Sequence, residues 1–126
     1  MQARQSGFTL IELIMVIVIL GALAVIALPR YIDLQSRAEI ASAEGVYGAV
    51  QAGVAINFAG NLAGATTEVP LGVSTGQHLL DVLSPAPEGW AVGGAADACI
   101  VRDSFEICVA TPESGAAPAV LSRAGF

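Results

Sequence analysis

Residues 8–28 read FTLIELIMVIVILGALAVIAL, a 21-residue apolar block that holds one ionisable side chain, Glu12, and one glycine, Gly21. At about 1.5 Å per residue, roughly 20 residues of helix cross the hydrocarbon core of a bilayer. A helix that is apolar all round has no face to give to water, so this one must lie in lipid or against other chains. The carboxylate is the anomaly. Deep in a membrane helix such a group costs roughly 2.5 to 3.5 kcal/mol on insertion scales, and something has to offset that.

Three readings of the segment compete. A secretory signal fits in part, with Arg4 ahead of the run and Ala22-Leu23-Ala24 in small-x-small form. The run is longer than such a signal needs, and a disposable segment has no reason to carry Glu12. An ordinary single-span anchor leaves Glu12 equally unexplained. The third reading places cleavage between Gly7 and Phe8, so that the block stays in the mature chain. The new α-amine of Phe8, with a reference pKa near 8, is then a cation. On a helix Phe8 and Glu12 are i and i+4 and share a face. Within one chain each can partly neutralise the other; in an assembly the amine of one copy can meet Glu12 of a neighbour. A buried charge with a partner at fixed axial position is a register device.

The string SGFTLIELIMVIVILGALAVIALPRY resembles the N-terminus of type IV prepilins and of the closely similar pseudopilins. That pattern is a short basic leader ending in Gly, then Phe-Thr-Leu-Ile-Glu, then an apolar run reaching a proline. Here these are Arg4, Gly7, Phe8 to Glu12, and Pro29. The resemblance implies an α+β fold, with a long N-terminal helix whose second half packs on a small antiparallel sheet. It implies that a prepilin peptidase cuts after Gly7 and methylates the amine of Phe8, and that Glu12 serves methylation or incorporation into the filament. It also implies that the helix between Gly21 and Pro29 can lose its form in the filament; the alternative is a tolerated local kink. The partners implied are identical copies of the chain, the peptidase–methyltransferase, the inner-membrane assembly machinery, and the bilayer before assembly. The implied location is the bacterial inner membrane, with the head periplasmic, and afterwards a surface pilus. PRYIDLQSRAE and the short head resemble pilins of the mannose-sensitive haemagglutinin type. A pseudopilin of type II secretion is the next reading, and a secreted binding protein freed by signal peptidase is the alternative from another class.

The 126 residues divide as a leader, 1–7, an assembly helix, 8–29, its amphipathic continuation, 30–60, and a head, 61–126. In the continuation Ile40, Ala43, Tyr47, Val50 and Val54 recur at spacings of 3 and 4, a helical stripe. Asp33, Arg37, Glu44 and Gln51 fall on another face. Gly60-Asn61 is the expected stop, and a helix from 8 to 58 would be roughly 75 Å long. Gly45, Gly48 and Gly53, with Ala41, Ala49 and Ala52, form a face of small side chains. They serve either close approach of another helix or close packing of the head.

In the head, TTEVPLG and GWAVGG read as strand-like pieces, and STGQHLLDVLS as a short helix capped by Ser74 or Thr75. ACIVRDSFEICVA reads as a hairpin with Asp103-Ser104 at its tip, which sets Cys99 opposite Cys108. Counted from a two-residue turn, that is a non-hydrogen-bonded pair with Cα atoms about 4.5 Å apart, within reach of a disulfide.

Other chemistry is set aside. With net charge −6, five arginines and no lysine, the chain lacks the clustered positive charge that nucleic acid requires. The single histidine, His78, has no free thiol to activate once the disulfide forms. Two cysteines without a second ligand pair do not make a zinc site. Asp97, Asp103 and Glu106 read as solvated carboxylates, since calcium needs roughly six to eight oxygens in one place. Trp90 reads as core. No enzyme, cofactor or metal is expected.

Overall fold

The computed structural model describes residues 7–69 and 72–126, so Arg4 lies outside the described residues. The fold is α+β, with two compact units, Met1–Glu39 and Ile40–Phe126. Helix α1 (Leu10–Leu62) makes up the described part of the first unit apart from residues 7–9, and it opens the second.

In the first unit every large apolar side chain from Phe8 to Leu34 is at least 45% exposed, and Phe8 is 90% exposed. The apolar surface is continuous around the helix, as the sequence requires, and by length and composition this helix can cross a membrane. The helix continues through Gly21 and Pro29. Having no N–H, Pro29 leaves the carbonyl of Val25 without its helical bond, a local weakness built into the chain. Exposed pairs follow it: Arg37 Nε lies 3.2 Å from Asp33 Oδ2, and Gln35 donates to Glu39 over 3.1 Å.

In the second unit the stripe faces the core. Ala43, Val50 and Val54 are buried, and Ile40 and Tyr47 pack at the margin. Against them stand Ile100, Phe105 and Ile107 of an antiparallel meander of four strands. Its members are β1 (Ala91–Gly93), β2 (Cys99–Arg102), β3 (Phe105–Thr111) and β4 (Val120–Ala124). Strand periodicity sends Phe105 and Ile107 to the core side and Glu106 and Cys108 to the other. Helix α2 (Gly76–Asp81) adds the fully buried Leu79, with Thr75 as N-cap accepting from the amide of His78. Trp90 is core, as expected, with the Arg102 guanidinium 5.4 Å above its ring. Arg123 of β4 is ion-paired with Glu44 at 3.4 Å and stacks on Tyr47.

Two expectations need correction. The helix does not stop at Gly60-Asn61. It runs to Leu62 and closes on Gly64 at φ 69°, with Ala65 bonding back to Gly60 and Gly64 to Asn61, the double bond of a Schellman cap. Gly60 is instead where Thr67 approaches, since a Cβ there would lie 2.6 Å from the Thr67 methyl. Residues 65–69 form no strand. The buried Asn57 takes the place of a strand partner, donating to the carbonyl of Val69 and accepting from its amide, both at 3.0 Å. The small-residue face, open to either use in the sequence, is not uniform in its packing. Gly53 lets Val82 close in, whereas nothing lies within 4 Å of a Cβ at Gly45 or Gly48, so head packing does not explain those two.

Candidate functional site

The start of α1 holds the candidate site. Residues 7–9 are not helical. Thr9 is the N-cap: its carbonyl accepts the first helical bond, from Leu13 at 3.3 Å, and its hydroxyl accepts weakly from the amide of Glu12 at 3.4 Å. Glu12 reaches back. Its Oε2 accepts from the Thr9 amide at 2.8 Å and from the Thr9 hydroxyl at 2.6 Å. This is a capping box, with the N-cap and N3 residues satisfying one another's amides.

The arrangement alters the expected role of Phe8. It stands one residue before the N-cap, outside the helix, so the i,i+4 facing with Glu12 does not exist here. Glu12 is engaged by Thr9 instead. The sequence carried the signal for this: T-x-x-E directly ahead of an apolar run marks a helix start, and Thr9 is the residue that a reading centred on charge passes over. The Gly7–Phe8 junction is non-helical and exposed, and among the described residues nothing lies within 4 Å of a Cβ at Gly7. Gly21 has equally open surroundings, so no packing among the described residues requires a glycine there.

At the far end of the sequence the Cys99–Cys108 disulfide is formed, with Cα atoms 4.0 Å apart. The register is Cys99↔Cys108 through Arg102↔Phe105 about the Asp103-Ser104 turn. Asp103 takes φ 55°, the positive value that two-residue hairpin turns share at their first central position. Among the described residues the one close grouping of possible metal ligands is Cys99, Glu106 and Cys108, within 4.8 Å. Both its sulfurs are in the disulfide, so it offers no thiolate. Replacing both cysteines by serine opens a loop that spans nine positions. The expected loss of head stability is about 2 to 3 kcal/mol, read from denaturant unfolding with and without the bridge.

Residues 2–28 match the family described as the prokaryotic N-terminal methylation motif. The chain is similar to a type IV narrow pilus major component of Thermus thermophilus, 49% identical over 53 residues, which cover 42% of this chain and 46% of that one. It is similar to a type IV major pilin of Neisseria gonorrhoeae, 54% identical over 43 residues, 34% of this chain and 26% of the relative. A fimbrial protein of Moraxella nonliquefaciens is 59% identical over 39 residues, 31% of this chain and 25% of its own. The aligned segments thus span under half the length of each relative, and these relatives are named as pilus and fimbrial components rather than enzymes. No solved structure gives a significant match.

Proposed function

From an N-terminal segment that matches the prokaryotic N-terminal methylation motif and is similar to type IV pilins, we propose that the chain is the structural subunit of a type IV pilus-like filament. A prepilin peptidase removes residues 1–7 and methylates Phe8. The mature chain waits in the inner membrane with its head outside the cytoplasm, and then polymerises through residues 8–29. The observation that carries this reading is a first helical stretch, residues 10–28, apolar on every side, whose one charge, Glu12, sits at its start, just past an exposed, non-helical Gly–Phe junction. Lipid tails are as apolar as the helix, so moving it from bilayer to filament core gains little hydrophobic free energy. Packing and polar pairing must therefore direct assembly, and the pairing of Glu12 with the amine of a neighbouring Phe8 sets the axial register. The open Gly45 and Gly48 give a neighbouring helix room to approach. Gly21 and Pro29 mark the stretch whose helix can loosen as subunits pack.

Mass spectrometry of sheared surface filaments tests the proposal. A mature start at Phe8 with an N-methylated amine supports it, and a start near Val25 replaces it with a conventional secreted protein. Deleting the gene should abolish surface filaments; intact filaments together with failed protein export would identify a pseudopilin of type II secretion instead. Glu12→Ala should leave cleavage intact and reduce assembled filament at least about tenfold, the scale of one lost charge-assisted pairing. Wild-type filament yield from that variant contradicts the role given to Glu12.

A further inference from the structure

Glu12 does not offer its two oxygens equally. Both of its close bonds, from the Thr9 hydroxyl at 2.6 Å and the Thr9 amide at 2.8 Å, fall on Oε2. Oε1 has no hydrogen-bond partner among the described residues. A free glutamate in that position would rotate among several rotamers, and each would have to be frozen when a cation arrives. Here the capping box already holds the carboxylate through Oε2, and it leaves the lone pairs of Oε1 unused by the described residues.

We infer that Thr9 is a positioning residue for assembly: its hydroxyl and amide hold Glu12 Oε2, so that Oε1 is the preset acceptor for the amine of another copy. The inference rests on the filament-subunit reading above and adds to it a residue and an atom. Cleavage after Gly7 does not disturb the box, because the Thr9 amide is a peptide N–H in precursor and mature chain alike. The incoming ammonium then adds a bond to Oε1 without displacing an existing one. In the assembled, water-poor core the carboxylate has donors on both oxygens, the condition under which a buried charge is tolerated.

Helix capping alone would also make Thr9 useful, so the test has to separate the two roles. Glycine caps a helix about as well as threonine but has no hydroxyl, while serine keeps both functions. The experiment compares Thr9→Gly, Thr9→Ser and Glu12→Ala, scoring surface filament per processed membrane subunit, with the mature N-terminus confirmed by mass spectrometry. Thr9→Ser should assemble within about twofold of wild type, and Thr9→Gly should lose about tenfold, the scale expected for a lost bond to a charged group. Thr9→Gly assembling as wild type, or Thr9→Ser failing as badly as Thr9→Gly, overturns the inference. The Glu12→Ala arm distinguishes the levels. If it assembles normally, the pairing itself is wrong; if it fails while Thr9→Gly assembles, only the role of Thr9 falls.

Discussion

Gly7→Leu leaves the precursor uncleaved in the membrane, with a slower electrophoretic mobility and residues 1–7 still present by mass spectrometry. The structure makes this a clean experiment. A Cβ at Gly7 meets nothing within 4 Å, and the helix does not begin until after Thr9. Position 7 is outside α1, and a Cβ there meets no described atom, so the effect is expected in recognition by the peptidase rather than in the helix. Proteolysis needs an accessible backbone outside regular structure, which residues 7–9 supply: they are non-helical, and Phe8 is 90% exposed. What changes is the fit of the residue just before the scissile bond. One methylene in a shaped pocket is worth roughly 10- to 200-fold in rate, so a whole isobutyl group should slow cleavage by about two orders of magnitude or more. Gly7→Ala should fall between. Normal maturation of Gly7→Leu would move the cleavage site elsewhere and remove the Phe8 amine from the argument.

How much was legible in the sequence differed between segments for physical reasons. The apolar helix was legible because 21 residues without a polar face admit few environments. The stripe from Ile40 to Val54 was legible because burial on one side of a helix imposes a spacing of 3 and 4. The hairpin and its disulfide could be read because strand register is counted from a turn, and Asp103-Ser104 fixed the count. Local signals failed where long-range contacts decided the outcome. Gly60-Asn61 looks like a helix stop, yet Asn61 is used as a clamp, donating to the Val69 carbonyl at 3.1 Å and to Glu113 at 3.0 Å, and the helix continues past it. β4 was not anticipated, because Val120–Ala124 is short and its pairing with β3 is broken by an irregularity between Val109 and Thr111. At the candidate site the charge of Glu12 points to a cation, whereas its hydrogen-bond partner is the neutral Thr9 three residues away, legible as T-x-x-E ahead of the apolar run.

Gly76→Val should unfold much of the head, because a steric clash outweighs a gain in helix propensity. Gly76 is the first residue of α2, where helix propensity alone favours a residue with a side chain; in a helix interior glycine is about 1 kcal/mol worse than alanine. A Cβ at Gly76, however, would stand 2.0 Å from the carbonyl oxygen of Cys99 and 2.6 Å from its carbonyl carbon. Those are backbone atoms that cannot rotate aside. Cys99 is paired with Gly93 on one side and Cys108 on the other, and is bridged to Cys108 as well. With β2 held, α2 has to give way, and it carries Leu79, which is fully buried. Withdrawing a buried leucine costs about 2 to 5 kcal/mol, which exceeds any gain in propensity. A domain of this kind has roughly 5 to 15 kcal/mol in total. Denaturant unfolding of the detergent-solubilised full-length protein should show Gly76→Ala destabilised by about 3 kcal/mol and Gly76→Val by more. Gly48→Ala supplies the contrast, because its Cβ meets open space and only propensity acts; it should gain up to about 1 kcal/mol. If Gly76→Ala were instead as stable as Gly48→Ala, the close approach of α2 to β2 would not hold the head together, and the fixed position of Leu79 in the core would need another cause.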